Sequence, residues 1–142
     1  MIWYDNFRSM PTASYYVQQL YSLNKGDQVI PLKMDGKAVA GNEGQNGLFA
    51  SAVKDNNGEV VVKVVNTGDD PQTLQIDFKG LKKNQRFSSV EVTTLHNDNP
   101  EAENTLDNQE IVKPVTRTFT DKDITDMNVD LPGKTFAIYR FK

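Results

Sequence analysis

The hydrophobic period of the sequence changes near Asp27, and this change limits the folds open to the chain. Before it, Tyr16, Leu20 and Leu23 recur at helical spacing. After it, the period is two, in short segments separated by turn-forming clusters. A short N-terminal strand and one helix followed by many short strands predict an all-β fold, an antiparallel β-sandwich. A jelly roll is one such arrangement.

The first 26 residues are expected to form a strand, a turn and a helix. The opening residues 1–4 are apolar and β-prone, and residues 5–9 interrupt them. Pro11 and then Thr12 or Ser14 supply residues typical of a helix start. We expect the helix to end with Lys25 in its last turn and Gly26 in the left-handed conformation after it.

Eight strands are predicted after Asp27. The strongest local signal is a hairpin that turns through residues 55–58. Its second strand carries valines at both odd and even positions, so we expect it to be buried on both sides. The predicted strands are residues 28–34, 48–54, 59–66, 73–79, 87–95, 111–117, 127–131 and 135–141.

Composition excludes several classes of function. The 142 residues carry a formal charge of −3, which argues against a strongly basic nucleic-acid binder. There is no cysteine and one histidine, so disulfides, thiolate zinc sites and multi-histidine metal centres are excluded. We therefore expect no metal and no cofactor. No apolar run approaches the ~18 residues that a membrane span needs, and no membrane partner is expected.

Residues 97–110 form an acidic segment with five carboxylates and no basic residue. Its start imitates a calcium loop, but Ala102 stands where that loop needs glycine and Asn108 where it needs glutamate. A glycosidase needs two carboxylates at a fixed separation, one with a raised pKa. A non-standard calcium site stays open as an alternative, but we expect a solvated loop, and local hydrogen bonds for His96 just before it.

The aromatic residues allow a sugar-binding or a packing interpretation. Trp3 and Tyr4, with the three tyrosines of the helix, could stack on a sugar, but packing is the commoner use of such residues. Phe49, Phe136 and Tyr139 alternate in predicted strands and are expected in the core. No tryptophan follows Trp3, which counts against the alternative function, a carbohydrate-binding module.

Several segments, in order along nearly the whole chain, resemble one enzyme family. Residues 2–6 and 15–26 resemble the end of the catalytic barrel in α-L-arabinofuranosidases of glycoside hydrolase family 51. Further segments resemble the C-terminal domain of that family, including its most recognisable loop. These segments are residues 47–53 and 63–66, residues 102–108 followed by Val112 and Pro114, and residues 131–132 with 136–141.

The resemblance implies a (β/α)₈ barrel joined to a jelly-roll sandwich that removes terminal α-L-arabinofuranosyl units with retention. Two glutamates, an acid/base and a nucleophile, would perform the reaction. Residues 1–26 match only the last barrel strand and helix, and residues 27–142 match the sandwich. Both glutamates are therefore expected before Met1, no catalytic residue is expected in this chain, and the chain alone should be inactive.

The resemblance also implies partners. The catalytic barrel of the same chain is the first, and arabinose-containing oligosaccharides are the second. Asp5 and Asn6, at the end of a barrel strand, are the substrate-binding candidates in the intact enzyme, with a structural role of this strand end as an equally weighted alternative. If the barrel is missing, the helix at residues 14–24 should pack against the sandwich or a second copy, or be poorly ordered. Homo-oligomerisation is left open. The expected location is the periplasm or the exterior of a bacterium, with the cytoplasm as the alternative.

Overall fold

The computed structural model describes residues 1–38, 47–83, 85–120, 124 and 126–142. The described part contains one α-helix and twelve β-strands. In chain order the elements are β1 (Ile2–Tyr4), β2 (Ser9–Pro11), α1 (Ala13–Leu23), β3 (Gln28–Ile30), β4 (Lys33–Met34), β5 (Lys37–Ala38), β6 (Leu48–Lys54), β7 (Val60–Asn66), β8 (Gln72–Asp77), β9 (Ser89–Leu95), β10 (Val115–Thr120), β11 (Asp126–Leu131) and β12 (Thr135–Phe141).

Antiparallel pairing organises these strands into one large sheet and three pairs. The large sheet has the order β10-β9-β12-β7-β6-β3, and β8 pairs with β11 in a separate two-stranded sheet. The mostly β, antiparallel fold class is therefore confirmed. The jelly-roll connectivity and the origin of the N-terminal elements in a barrel stay predictions.

The core lies on both faces of the six-stranded sheet. On the inner face, Val62 and Phe141 pack with Leu131 of the β8–β11 sheet. On the outer face, Val61 and Ile138 pack with residues of α1 and of the loop that follows β9. Strand β7 is thus buried on both sides, as its valines predicted.

The hairpin between β6 and β7 forms where the sequence predicts it. Val53 pairs with Val61 next to the turn. Gly58 has a φ of +90°, a conformation in which a side chain is strained. The Asp55 carboxylate closes the turn by accepting hydrogen bonds from the backbone N–H of Asn57 and Glu59, at 2.9 and 3.0 Å.

One predicted strand is displaced. Residues 111–117 were expected to be extended, but β10 runs from Val115 to Thr120. Val112 is buried and Ile111 is partly buried in the outer core, where both belong to the loop that follows β9. Their apolar side chains therefore attach the loop to the sheet. In the sequence, these apolar residues look like the start of a strand, which explains the displaced prediction.

Helix α1 begins as predicted and ends differently. Thr12 is the N-cap, and its hydroxyl accepts a hydrogen bond from Tyr15 N at 3.2 Å. At the other end, Asn24 donates from its backbone N and its Nδ2 to Leu20 O, at 3.1 and 2.9 Å. Lys25 lies outside the helix. The prediction of a left-handed Gly26 is wrong, since Gly26 is needed for close approach: a Cβ there would lie 2.7 Å from the Cβ of Val53.

The apolar side of α1 packs against the sandwich, which confirms one of the expected outcomes for this helix. Leu20 is 7% exposed, and burial of such a side chain stabilises by roughly 1.5–3 kcal/mol. The Tyr21 ring stacks on Phe136, with ring centroids 5.1 Å apart and planes 7° apart. The Lys63 ammonium lies 4.8 Å from the Tyr21 centroid. A sheet residue, Arg140, donates to Asn24 Oδ1 at 3.1 Å.

The N-terminal strand is half of a hairpin. Strand β1 pairs antiparallel with β2, and Trp3 is opposite Met10. The sequence predicted a single strand there and missed β2, because β2 has only three residues and ends in a proline. Thr12 connects this hairpin to α1, since its hydroxyl donates to Met1 O at 2.6 Å.

Candidate functional site at the N-terminal hairpin

The β1–β2 hairpin exposes three large aromatic side chains. Trp3 is 60% exposed, Tyr4 80% and Phe7 96%. We call these three residues the aromatic surface. The prediction that Trp3 and Tyr4 are packed is wrong within the described residues, although the same prediction holds for the helix residue Tyr16, which packs against the outer core. Trp3 and Tyr4 are successive residues of β1 and therefore lie on opposite faces of the hairpin; large exposed aromatic side chains are nonetheless the residues that interfaces use as anchors.

The two substrate-binding candidates lie in the turn between β1 and β2. The Asp5 carboxylate accepts hydrogen bonds from Phe7 N at 2.8 Å and Arg8 N at 2.7 Å. These two backbone hydrogen bonds, together with the Arg8 guanidinium, lower the pKa of Asp5. Asp5 therefore closes the turn, whereas Asn6 is exposed at its tip.

The loop at residues 97–114 joins the hairpin to the sandwich through Asn104. This side chain is 7% exposed. Its Nδ2 donates to Pro11 O and Val112 O, both at 2.9 Å, and its Oδ1 accepts from Val112 N at 2.7 Å. Sequence analysis missed Asn104, because an asparagine among acidic residues also fits a solvated loop.

An exposed ion pair adds a second connection between loop and hairpin. Arg8 Nη1 lies 2.8 Å from Asp107 Oδ1. Hydrogen bonds to Asp107 and then Asp5 raise the pKa of Arg8. The acidic loop is thus solvated at Glu101 and Glu103, as expected, but docked at Asn104 and Asp107.

His96 makes local hydrogen bonds, as predicted for the end of a strand. Its Nδ1 lies 2.9 Å from Thr135 Oγ1, and its Nε2 lies 3.1 Å from Asp98 Oδ1. Among the described residues, no three histidine, aspartate or glutamate side chains come together as a metal site.

Two carboxylates of the described structure, those of Asp55 and Glu59, come close together because both pair with the Arg140 guanidinium. Glu59 Oε2 lies 2.6 Å and Asp55 Oδ2 3.4 Å from Arg140 Nη1. Because Asp55 also closes the β6–β7 turn, this arrangement is a structural ion-pair network. Of the other glutamates, Glu91 pairs with Lys142, and Glu43 lies outside the described residues.

Two phenylalanines of the large sheet are exposed, on opposite faces. Phe49 is 46% exposed and pairs with Val65, which belongs to the outer core. Phe119 is 47% exposed and pairs with Val90, which belongs to the inner core. These two rings cannot form one flat sugar-stacking platform. The prediction of a buried Phe49 is wrong, whereas Phe136 and Tyr139 are buried as expected.

Comparison with known proteins decides the family. The model of the α-L-arabinofuranosidase C-terminal domain matches residues 1–134. The chain belongs to this family. The resemblance found in the sequence segments is thereby confirmed. For the described residues of this α-L-arabinofuranosidase C-terminal domain, no helix combines the length and apolarity that crossing a bilayer demands.

A curated relative and two solved structures are similar to this domain. Over 103 residues it is 31% identical to "Probable alpha-L-arabinofuranosidase A" of Aspergillus terreus, covering 72% of this chain and 14% of that protein. It superposes on the arabinose-bound MgGH51 α-L-arabinofuranosidase with a TM-score of 0.79 at 22% identity, covering 99% of this chain and 21% of the other. It superposes on the family 51 α-L-arabinofuranosidase of Thermotoga petrophila RKU-1 with a TM-score of 0.75 at 18% identity, covering 99% of this chain and 31% of the other. At these identities, the two structures speak for a shared fold.

Proposed function

We propose that this chain is the C-terminal accessory domain of a larger α-L-arabinofuranosidase and packs against a catalytic domain of the same polypeptide. The observation that carries the proposal is the aromatic surface of the hairpin, which the described part of the chain leaves exposed. The chain spans only 14–31% of the length of the α-L-arabinofuranosidases to which it is similar. This partial coverage supports a further domain in the same polypeptide. Large exposed aromatics are the side chains that interfaces use as anchors.

In this proposal the chemistry lies outside the chain. The larger enzyme hydrolyses terminal α-L-arabinofuranosyl units with retention, using two glutamates of its catalytic domain. The carboxylates described above are held in turns and ion pairs, as at Asp55 and Glu59. Because their oxygens are already engaged, these two carboxylates do not form the free, spaced acid pair that glycoside hydrolysis needs. The domain alone should therefore be inactive.

The proposal assigns residues 1–26 to the junction of the two domains. Helix α1 is bound to the sandwich through Leu20 and Asn24, so the sandwich and α1 are expected to stay together. The hairpin would then be the part that faces the catalytic domain. Of the two substrate candidates, Asn6 is the better placed for the complete enzyme, because the Asp5 oxygens are already engaged.

The first test compares the 142-residue chain with the complete polypeptide on an aryl α-L-arabinofuranoside. We expect turnover by the complete polypeptide and none by the chain alone. Turnover by the chain at a rate similar to that of the complete polypeptide would refute the assignment of the catalytic groups.

The second test addresses the docking surface. In the complete polypeptide, Phe7→Ser should lower the stability of the domain interface by about 1–2 kcal/mol, because an interface aromatic would lose its pocket. Phe119→Ser is the matched control, since Phe119 is also exposed but lies far along the chain on the inner face of the sheet. Thermal unfolding of both variants measures the effect. Equal behaviour of the two variants would contradict docking through the hairpin.

A further inference from the structure

The buried side chain of Asn104 joins its loop to the end of β2, 93 positions away in sequence, and also closes the loop onto itself at Val112. Its amide reaches Pro11 at the end of β2 and Val112, where the loop returns to the sheet. Both Nδ2 hydrogens and the Oδ1 acceptor are used. A buried amide with these partners is costly to replace, because each partner would be left without its hydrogen bond.

Among the described residues, the other polar contact between the loop and the hairpin lies at the surface. The Arg8–Asp107 pair is exposed, with 49% and 91% of its side chains accessible, and exposed pairs of this kind contribute little. A cleft of about 270 Å³ lies between loop and hairpin, with Trp3, Met10 and Glu101 in its walls. The described hairpin residues are thus held by the buried Met10 side chain, by Thr12 next to α1 and by the buried Asn104 hydrogen bond to Pro11, of which only the last comes from the loop side chains.

We propose that Asn104 is a positioning residue that fixes the β1–β2 hairpin, and with it the aromatic surface, on the sandwich. The sandwich and the docked catalytic domain then keep a single relative orientation. The identity of the docked partner rests on the proposed function above. The role of Asn104 toward the hairpin rests on the contacts described here.

The test uses Asn104→Asp in the complete polypeptide. This substitution keeps the size of the side chain and an oxygen that can accept from Val112 N. It replaces both N–H donors with oxygen, which then faces the carbonyl oxygens of Pro11 and Val112. Asn97→Asp is the matched control, because the Asn97 side chain hydrogen-bonds Ile111 O at 2.9 Å and Asn99 N within the same loop, and none of its hydrogen bonds in the described part of the chain reaches the hairpin.

Hydrogen exchange of the backbone amides at residues 2–11 is the measurement. We expect exchange in Asn104→Asp to be about 10-fold faster than in the parent, the change that corresponds to losing one buried hydrogen bond. Exchange at the same amides in Asn97→Asp should match the parent. Unchanged exchange in a folded Asn104→Asp variant would overturn the proposal, and so would equally fast exchange in Asn97→Asp.

A pH profile separates positioning from a general loss of packing. A protonated carboxyl can donate one hydrogen bond to Pro11 O or Val112 O. Relative to the parent, hairpin exchange in Asn104→Asp should therefore slow again as the pH falls through the pKa of the new carboxyl. A difference that does not change with pH would count against the hydrogen-bond mechanism. If Asn104→Asp does not fold, Asn104→Ser, which keeps a hydroxyl donor, replaces it in the exchange comparison.

Activity supplies the link to the proposed function. The kcat/KM of the complete polypeptide for an aryl α-L-arabinofuranoside should fall severalfold in Asn104→Asp and stay at the parental value in Asn97→Asp. A parental kcat/KM together with a loosened hairpin would overturn the part of the proposal that concerns domain orientation. If the parent does not hydrolyse arabinofuranosides, the proposed function fails, whereas the exchange comparison still decides the role of Asn104.

Discussion

Tyr139 allows a quantitative test of the inner core. The side chain lies on β12, is 2% exposed, and its hydroxyl has no hydrogen bond among the described residues. Burial raises the pKa of Tyr139 from 10.0 to about 12. The folded state therefore favours the neutral phenol. The resulting stabilisation is complete below pH 10 and is lost as the pH rises from 10 to about 12. Two pH units at 1.36 kcal/mol each correspond to about 2–3 kcal/mol.

The assay is urea unfolding at a series of pH values between 8 and 12, for the parent and for Tyr139→Phe. The free energy of unfolding of the parent should fall by about 2–3 kcal/mol more than that of the variant over this range. At pH 8 the variant should equal or exceed the parent by about 1 kcal/mol, because a buried hydroxyl without a partner is removed.

Tyr4→Phe is the matched control, since Tyr4 is 80% exposed and the substitution changes no buried group. Its difference from the parent should stay constant across the series. If the curves of the parent and Tyr139→Phe run parallel from pH 8 to 12, the argument from burial is wrong.

Three further substitutions test other parts of the fold by urea unfolding at pH 7. Val62→Asp should lower the free energy of unfolding by several kcal/mol, because an unpaired charge enters the inner core. Val29→Asp, at an 80% exposed position of the same sheet, should change it by less than about 0.5 kcal/mol. Similar losses in these two variants would contradict the assigned burial. Gly58→Val should cost about 1–3 kcal/mol because φ is +90°, and Gly58→Asn clearly less; equal costs would argue against strain. Lys63→Met should add about 1 kcal/mol at pH 7, since burial, and then Arg140, lower the pKa of Lys63. This gain should shrink as the pH rises toward 10.5, and a constant gain would rule out a charge effect.

Local chemistry made much of the sandwich predictable. Strand β6 and strand β12 have the predicted bounds, and the turn at Gly58 forms between β6 and β7. Thr12 caps α1 through a hydrogen bond to a residue three positions away. Interactions of this kind involve neighbours in sequence, so the residue types are enough to indicate them.

Other features depend on what a residue meets in three dimensions. Asn104 has its decisive contact with Pro11, 93 positions away. Phe49 alternates like a core residue but lies 46% exposed on the outer face. Val112 looks like part of a strand and instead docks a loop. In each case the residue type allows two environments, and the packing of distant segments selects one.

For the described residues, the sequence by itself determined a short N-terminal strand, a helix and then antiparallel strands, with β7 buried on both sides. Period and turn chemistry are properties of neighbouring residues, and they carry that information. Only the tertiary structure decided that α1 lies on the outer face and that the N-terminal hairpin exposes Trp3, Tyr4 and Phe7 while Asn104 holds it. Burial and buried hydrogen bonds are set by segments far apart in the chain, and no local pattern records which of them meet.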